Sequence, residues 1–421
     1  MKSFKRIIST IFLILILSVN LSGCSFDRNN ILNKSVDKIL SYVDGVKSPK
    51  HTFITAWNIV NDEYLDKTYN HQDWAKWKLR YIDQIKTEDD AHVAIQSMIE
   101  SLNDPYTRFL PKSDFEEQDR SIEAKLYGIG VHIAQKKDNS VFVIYVIEDT
   151  PAKKAGLKAG DVILQVNGTP IKGFDLKKVA DLVRGKAGSK VRLIILRGKN
   201  KFAKNIVREK ISIKSVNYKI LDNKYAYIRI LSFLGNDAAL ETLDAINKTK
   251  NAKGVILDLR GNYGGLLPNA VFIANMFIKK GVIVRIVDRN GHEEIINAEP
   301  LGITVDKPTV VLVNGASASA SEILSGALKD NKRAVLVGEK TYGKGRVQKI
   351  NPLPDGSGIN ITIAKYLTPN GDDIDKKGIQ PNYTVKFTEK DFFRNKDFQL
   401  AKAKQILAAE INKNSQNIKQ K

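Results

Sequence analysis

The sequence predicts an α+β multidomain chain with a helical N-terminal region, a β-rich unit inserted behind it and an α/β core. Three observations predict it. Apolar residues recur at helical spacing between His51 and Leu110. Short β-branched runs, broken by Asp-Thr-Pro and Asn-Gly turns, fill Tyr127 to Arg208. From Lys214 onward apolar strands alternate with amphipathic helices, and twice a strand passes through a turn of small residues straight into a helix.

Length and composition allow such a chain. Its 421 residues, 43% hydrophobic and 27% charged, suffice for two or three domains and are too apolar for disorder. The formal charge of +21 is spread over lysines along the whole length, without a concentrated basic run or a nucleic-acid motif. We read it as solubility and attraction to an anionic membrane face, with no nucleic-acid partner. The five histidines, His51, His71, His92, His132 and His292, form no HExxH and no pair at ligand spacing, so no metal site is predicted. A Ser-His-Asp triad would have to recruit His292, alone in a predicted turn.

At the N-terminus, Lys2, Lys5 and Arg6 precede an apolar run from Ile7 to Val19, followed by Leu21-Ser22-Gly23-Cys24. That tetrapeptide resembles the lipobox of bacterial lipoproteins. It implies a signal peptide over 1–23, lipidation of Cys24, and a mature chain anchored to a membrane of the bacterial cell envelope from outside the cytoplasm. An uncleaved anchor is the alternative, but the run falls short of the ~20 residues that span a bilayer. Cys24 is the only cysteine, which excludes disulfides, a thiolate metal cluster and a catalytic cysteine elsewhere.

Polar, Asn-rich residues 24–50 read as a tether. The helical region, 51–122, has Phe53, Ile54, Trp57, Ile59, Val60 and Tyr64 in one segment and Ala91, Ala94, Ile95, Met98, Ile99 and Leu102 in another. Trp57, Trp74 and Trp77 are read as core or interface residues. In the β-rich unit, 123–210, strands are predicted at Val141–Val146, Asp161–Val166 and Lys190–Leu196, with helices at Ala152–Leu157 and Leu176–Val183. The core, 211–388, has strands at Tyr225–Ile230 and Gly254–Leu259, helices at Asp237–Thr249 and Leu266–Ile278, a hairpin over Arg289-Asn290-Gly291-His292, and a strand at Ile359–Tyr366. The last segment, 389–421, is helical from Phe392 to Ile411 and frayed from Asn412 onward.

Chemistry concentrates between Val310 and Gln348. A buried strand, Thr309–Val313, stops at Asn314-Gly315 and leads through Ala316-Ser317-Ala318-Ser319-Ala320-Ser321-Glu322 into a helix with Ile323, Leu324, Ala327 and Leu328 on its apolar face. A serine at such a helix start meets free N–H groups and the positive end of the helix dipole, which favour a developing oxyanion. After a second strand, Ala334–Val337, Lys344 lies between Gly343 and Gly345, with Gln348 four residues on. If that segment is extended, the two side chains share a face. A buried lysine can serve as general base, and a glutamine carbonyl can orient it. Serines among alanines also serve as caps, and Gly-Lys-Gly is also a solvated turn, so spacing alone leaves the pairing open.

The strings SASASEIL (Ser317–Leu324) and GEKTYGKGRVQ (Gly338–Gln348) resemble the active-site region of the C-terminal processing peptidases, or tail-specific proteases. The resemblance implies Ser319 as nucleophile, Lys344 as base and Gln348 as its orienting partner. The string DLRGNYGG (Asp258–Gly265) is similar to the family's DLRxNxGG, which implies an oxyanion hole made by Ala320 with either Gly264 or Gly265. It also lacks the GKS or GKT of a phosphate-binding loop. TPAKKAGLKAGDVILQVNG (Thr150–Gly168) resembles a PDZ domain, and Tyr127-Gly128-Ile129-Gly130-Val131 would be its carboxylate loop. Arg184 matches an arginine that couples an occupied PDZ domain to the protease site in some family members; capping of the preceding helix is the alternative. Leu102-Asn103-Asp104-Pro105-Tyr106-Thr107 and Gly378-Ile379-Gln380-Pro381-Asn382 resemble two further family segments, with Asn103 and Asn382 where acids are usual.

The resemblance covers Phe53 to Val385 and implies an inserted PDZ β-sandwich or barrel and a crotonase-like protease core. The expected function is that of a lipid-anchored serine endopeptidase which recognises apolar C-terminal tails of exported proteins and cleaves them with a Ser-Lys dyad, without metal or cofactor. The family's helical region helps to build a dimer, so a homodimer is one expected assembly. The alternatives are an inert, membrane-tethered PDZ scaffold and an acyl-CoA enzyme of crotonase type. The first leaves a costly buried lysine without purpose, and the second requires acyl-CoA outside the cytoplasm.

Overall fold

The computed structural model describes residues 48–419 except 123–124, 137, 148, 213, 236, 300–301, 303, 389–390 and 392–395. The leader, Cys24 and nearly all of the expected tether lie outside the described residues.

Ser48 starts the first helix, α1 (Pro49–Glu63): its hydroxyl accepts the His51 amide hydrogen at 3.2 Å, and Pro49 occupies the first turn, where no N–H is needed. The helical region therefore begins two residues before its expected start. Helices α2 (Trp74–Tyr81) and α3 (Glu88–Glu100) follow, the latter entered through a Thr87/Asp90 capping box. Phe53, Ala56, Val60, Trp74, Ala91, Ala94, Ile95 and Met98 form their core, as the periodicity predicted. Arg108–Leu110 corrects that reading: it is a strand, β1, followed by helix α4 (Lys112–Ile122).

The β-rich unit runs β2 (Lys125–Gly128), β3 (Val131–Gln135), β4 (Val141–Val146), α5 (Pro151–Lys154), β5 (Val162–Val166), β6 (Thr169–Pro170), α6 (Leu176–Val183), β7 (Lys190–Arg197), β8 (Asn200–Val207) and β9 (Glu209–Ser212). Its main sheet has the order β3-β4-β5-β7-β8, and β2 pairs with β9 where the chain enters and leaves. The helix expected over Ala152–Leu157 starts one residue earlier and stops at Lys154, because Gly156 turns the chain with a φ of +78°.

The core comprises β10 (Val216–Leu221), β11 (Tyr225–Ile230), α7 (Ala238–Lys248), β12 (Gly254–Asp258), α8 (Leu267–Asn275), β13 (Val282–Asp288), β14 (Glu293–Asn297), β15 (Thr309–Val313), α9 (Ala320–Asp330), β16 (Val335–Gly338), β17 (Arg346–Pro352), β18 (Gly358–Leu367), β19 (Tyr383–Thr384) and α10 (Phe398–Lys419). Its central sheet has the order β10-β11-β12-β15-β16-β19, antiparallel only at the first pair. Strands β12 and β15 are buried along their whole length because both faces are covered. Val255, Leu257, Val311 and Val313 pack with residues of α7, α8 and α9, while Ile256, Val310 and Leu312 pack with Ala403 and Leu407 of α10. Helix α10 continues through Lys419, which corrects the expected frayed tail, since lysine and glutamine are good helix formers.

A second sheet, β1-β18-β13-β14 with β17 on β18, joins the helical region to the core. Strand β1 pairs with β18, and Leu353, Ile359 and Ile361 of the β17–β18 hairpin belong to the hydrophobic cluster of α1–α3.

Candidate active site

Three serines stand at the start of α9, and their surroundings differ. Ser317 and Ser321 are fully buried and donate their hydroxyls to Leu259 O at 2.8 Å and Asn262 O at 2.9 Å, fastening this turn to the one after β12. Ser319 is half-buried and sits at the N-cap with φ +56° and ψ −116°. A non-glycine residue in this region costs about 1–3 kcal/mol and persists only where its surroundings enforce it. Neighbouring hydrogen bonds thus consume the flanking serines and present the middle one.

Lys344 lies in the turn before β17. Gly343, at φ +92°, lets the chain pass so close to Gly378 that a Cβ would fall 2.8 Å from its nitrogen. Lys344 Nζ donates to Gln348 Oε1 at 2.6 Å. The expectation that the two share a face of an extended strand is corrected: β17 starts only at Arg346 and slips register between Val347 and Gln348, and this bulge directs the glutamine toward the lysine. Gln348 Nε2 donates in turn to the carbonyl of Tyr106, and the Tyr106 ring centroid lies 5.1 Å from Lys344 Nζ. Burial lowers the Lys344 pKa below the ordinary lysine value, Arg108 lowers it further and Asp104 opposes.

One residue that sequence reasoning treated only as part of a helix start connects the two loops. Glu322, 1% exposed, accepts the Ser319 and Lys344 amide hydrogens on Oε2, both at 2.9 Å, and the Gly343 amide (2.7 Å) and Thr341 hydroxyl (2.6 Å) on Oε1. The Ser-x-x-Glu spacing was the available signal, since a glutamate at that position commonly reaches back to the N-cap amide. The hydroxyl of Tyr366, on β18, donates to the carbonyls of both Ser319 and Lys344. Nothing local to Tyr366 or Tyr106 announces these contacts.

The turn after β12 lies against Ser319. A Cβ on Gly264 (φ +99°) would stand 2.7 Å from Ala318 O, 2.8 Å from Ser319 Cβ and 3.0 Å from Ala320 N. Gly264 gives its amide hydrogen to the side chain of Asn262 at 2.9 Å. Among the described residues the amides of Gly265 and Ala320 have no hydrogen-bond partner.

On the β-rich unit a groove of about 510 Å³ runs between the Tyr127–Val131 loop with β3 and helix α6. Its wall is apolar, with Ile129, Val131, Ile133, Leu176, Ala180 and Val183. Gly128 and Gly130 line it too. The carbonyls of Ile129 and Gly130 accept from Ala152 N (2.8 Å) and Ile147 N (3.0 Å), which turns the amides of Gly130 and Val131 the opposite way across their trans peptides. Arg184, the C-cap of α6, is at the rim and donates to Glu117 of α4 at 2.9 Å.

Residues 224–385 match Peptidase family S41 and residues 142–197 match a PDZ domain. The carboxyl-terminal-processing protease of Picosynechococcus sp. is 40% identical over 342 residues, covering 79% of this chain and 82% of that one. The carboxy-terminal processing protease CtpA of Bacillus subtilis is 42% identical over 302 residues, covering 70% and 64%. The chain belongs to the C-terminal processing peptidases. A solved photosystem II D1 C-terminal processing protease aligns with it at 34% identity and a TM-score of 0.56, over 81% of this chain and 94% of that one.

This C-terminal processing peptidase is a serine-type peptidase with a PDZ domain. Its fold brings Ser319, Ala320 and Gly264 together in one contact region, with Gly265 next in the chain and packed on Phe233, and ties the Lys344 turn to it through Glu322. Gly128, Ile129, Gly130, Val131 and Arg184 form a separate groove on the PDZ domain.

Proposed function

We propose that Ser319 is the nucleophile, Lys344 the general base and Gln348 its orienting partner in cleavage of protein C-terminal tails. Ser319 Oγ attacks the scissile carbonyl carbon while neutral Lys344 takes its proton. The amides of Gly265 and Ala320 donate to the tetrahedral oxyanion, a contribution commonly of about 3 kcal/mol per donor. Lys344 returns the proton to the leaving amine, the C–N bond breaks, and water, deprotonated by the same lysine, hydrolyses the acyl-enzyme. The observation carrying this reading is the Lys344–Gln348 contact inside a desolvated turn, braced to the Ser319 amide by Glu322. Gly264 serves by allowing the close approach, since its own amide is spent on Asn262.

In this reading the PDZ groove receives the substrate's apolar C-terminus, its carboxylate facing the amides of Gly130 and Val131. Cys24 carries the lipid that holds the enzyme on the outer side of a bacterial membrane, and the helical region takes part in a homodimer. Among the described residues no helix is long and apolar enough to cross a membrane. An inert scaffold is disfavoured by a lysine whose burial serves no binding purpose.

The test is cleavage of a soluble reporter with an apolar C-terminal tail by protein beginning after Cys24, beside Ser319→Ala and a charged-tail reporter. Loss in both controls supports the nucleophile and the tail reading. Cleavage persisting in Ser319→Ala moves the active site elsewhere.

A further inference from the structure

The Lys344–Gln348 pair is not completed within the core that carries it. Its outer ligand, the Tyr106 carbonyl, belongs to the Asp104–Thr107 turn between α3 and β1. That turn is rigidly built. Asp104 accepts the Tyr106 amide hydrogen at 3.0 Å and the Thr107 hydroxyl at 2.7 Å, and Thr107 is 4% exposed.

The turn also fills a gap in the second sheet. On the edge of β18 away from β17, pairing with β1 ends at Asn360 and pairing with β13 begins at Ala364. Thr362 lies in that gap, opposite Gln348. Its amide hydrogen goes to the Thr107 hydroxyl at 3.0 Å, and its carbonyl accepts from Leu65 N at 2.8 Å. The residues that hold Tyr106 over the lysine therefore also hold the strand opposite the glutamine.

We propose that Tyr106 is a positioning residue for the base: its carbonyl fixes Gln348, its ring closes over Lys344, and the proton-accepting centre is complete only while the helical region is docked on β18. The proposal rests on the reading of Lys344 as the base. The ring keeps water from the amine, which favours its neutral, proton-accepting form. Among the described residues, the other charged or titratable groups facing this turn include Arg108 and Asp104, Tyr342 beside Tyr106, Glu322 and Asp375 on the amides of Lys344 and Gly345, and Tyr366 on the Lys344 carbonyl.

The experiment is the pH profile of kcat/KM for the mature enzyme on an apolar-tail reporter, with Tyr106→Ala, Tyr106→Phe, Thr107→Val and Lys344→Ala. Tyr106→Ala is expected to lower kcat about 10-fold or more, with KM little changed, as for a misplaced catalytic group. It should also move the acidic limb to higher pH, because water readmitted to the amine favours its charged form. Tyr106→Phe should return the limb, and Thr107→Val should lower kcat with the ring in place. If Tyr106→Ala does not fold, Tyr106→Leu carries the comparison, tail binding by the PDZ domain serving as the check on folding. An unshifted limb in Tyr106→Ala, or a loss confined to KM, overturns the proposal while Lys344→Ala is inactive. Cleavage by Lys344→Ala overturns the base assignment, and this proposal with it.

Discussion

Glu322 accepts the amide hydrogen of Lys344 at 2.9 Å on the same carboxylate oxygen that accepts the amide of Ser319. One buried anion thereby fixes the distance between two loops that the sequence separates by 25 residues. Four donors converge on this carboxylate and hold it in place by hydrogen bonds.

Glu322→Gln places an amide NH2 against main-chain donors. We expect cleavage to fall at least about 100-fold, as for a misplaced catalytic group, and stability to fall by about 2–3 kcal/mol. Reporter cleavage and urea denaturation measure the two, and tail binding by the PDZ domain should stay at the unmutated level.

Lys344 titrates below the ordinary lysine value chiefly because it is buried. In the window between its folded pKa and its ordinary value, the unfolded chain holds the extra proton, so this residue makes stability rise with pH. Lys344→Met removes that dependence. Relative to the unmutated protein, it should gain stability as pH falls from above the lysine range through that window, reaching about 0.5–2 kcal/mol, while cleavage is lost. Denaturation at a series of pH values checks the sign.

Gly264→Ala drives a Cβ to 2.8 Å from Ser319 Cβ at a φ of +99°. Ser319 should then be displaced, with loss of labelling by a fluorophosphonate and destabilisation of about 2 kcal/mol or more. Gly265→Ala strikes the Phe233 backbone instead, at 2.3 Å from its carbonyl carbon. That substitution should move the free amide and slow acylation even where some labelling survives.

Among the described residues the hydrogen bonds of Arg184 go to Glu117 of α4 and Asp181 of α6, at the rim of the groove. Arg184→Ala should therefore impair tail-dependent cleavage more than labelling of Ser319 by a small organophosphonate. Gly130→Ala brings a Cβ to 2.4 Å from Thr150 Cβ and should abolish tail binding, read by fluorescence anisotropy, leaving labelling intact.

The sequence by itself determined the order of helical, β-rich and α/β segments, because helical and strand periodicities are local and survive in one dimension. Helix Leu176–Val183 and strands Val141–Val146, Tyr225–Ile230 and Thr309–Val313 stand at their expected bounds. The resemblance of the strings around Ser319 and Lys344 led to the family. The tertiary structure decided what separates residues that look alike in the string. Ser317 and Ser321 point into a junction with the β12 turn, and Gly264, unlike Gly265, has its amide taken by Asn262. It alone joined Tyr106 to Gln348 across 242 residues. Such contacts are set by where β1 and β18 pair, a long-range register that no local pattern encodes.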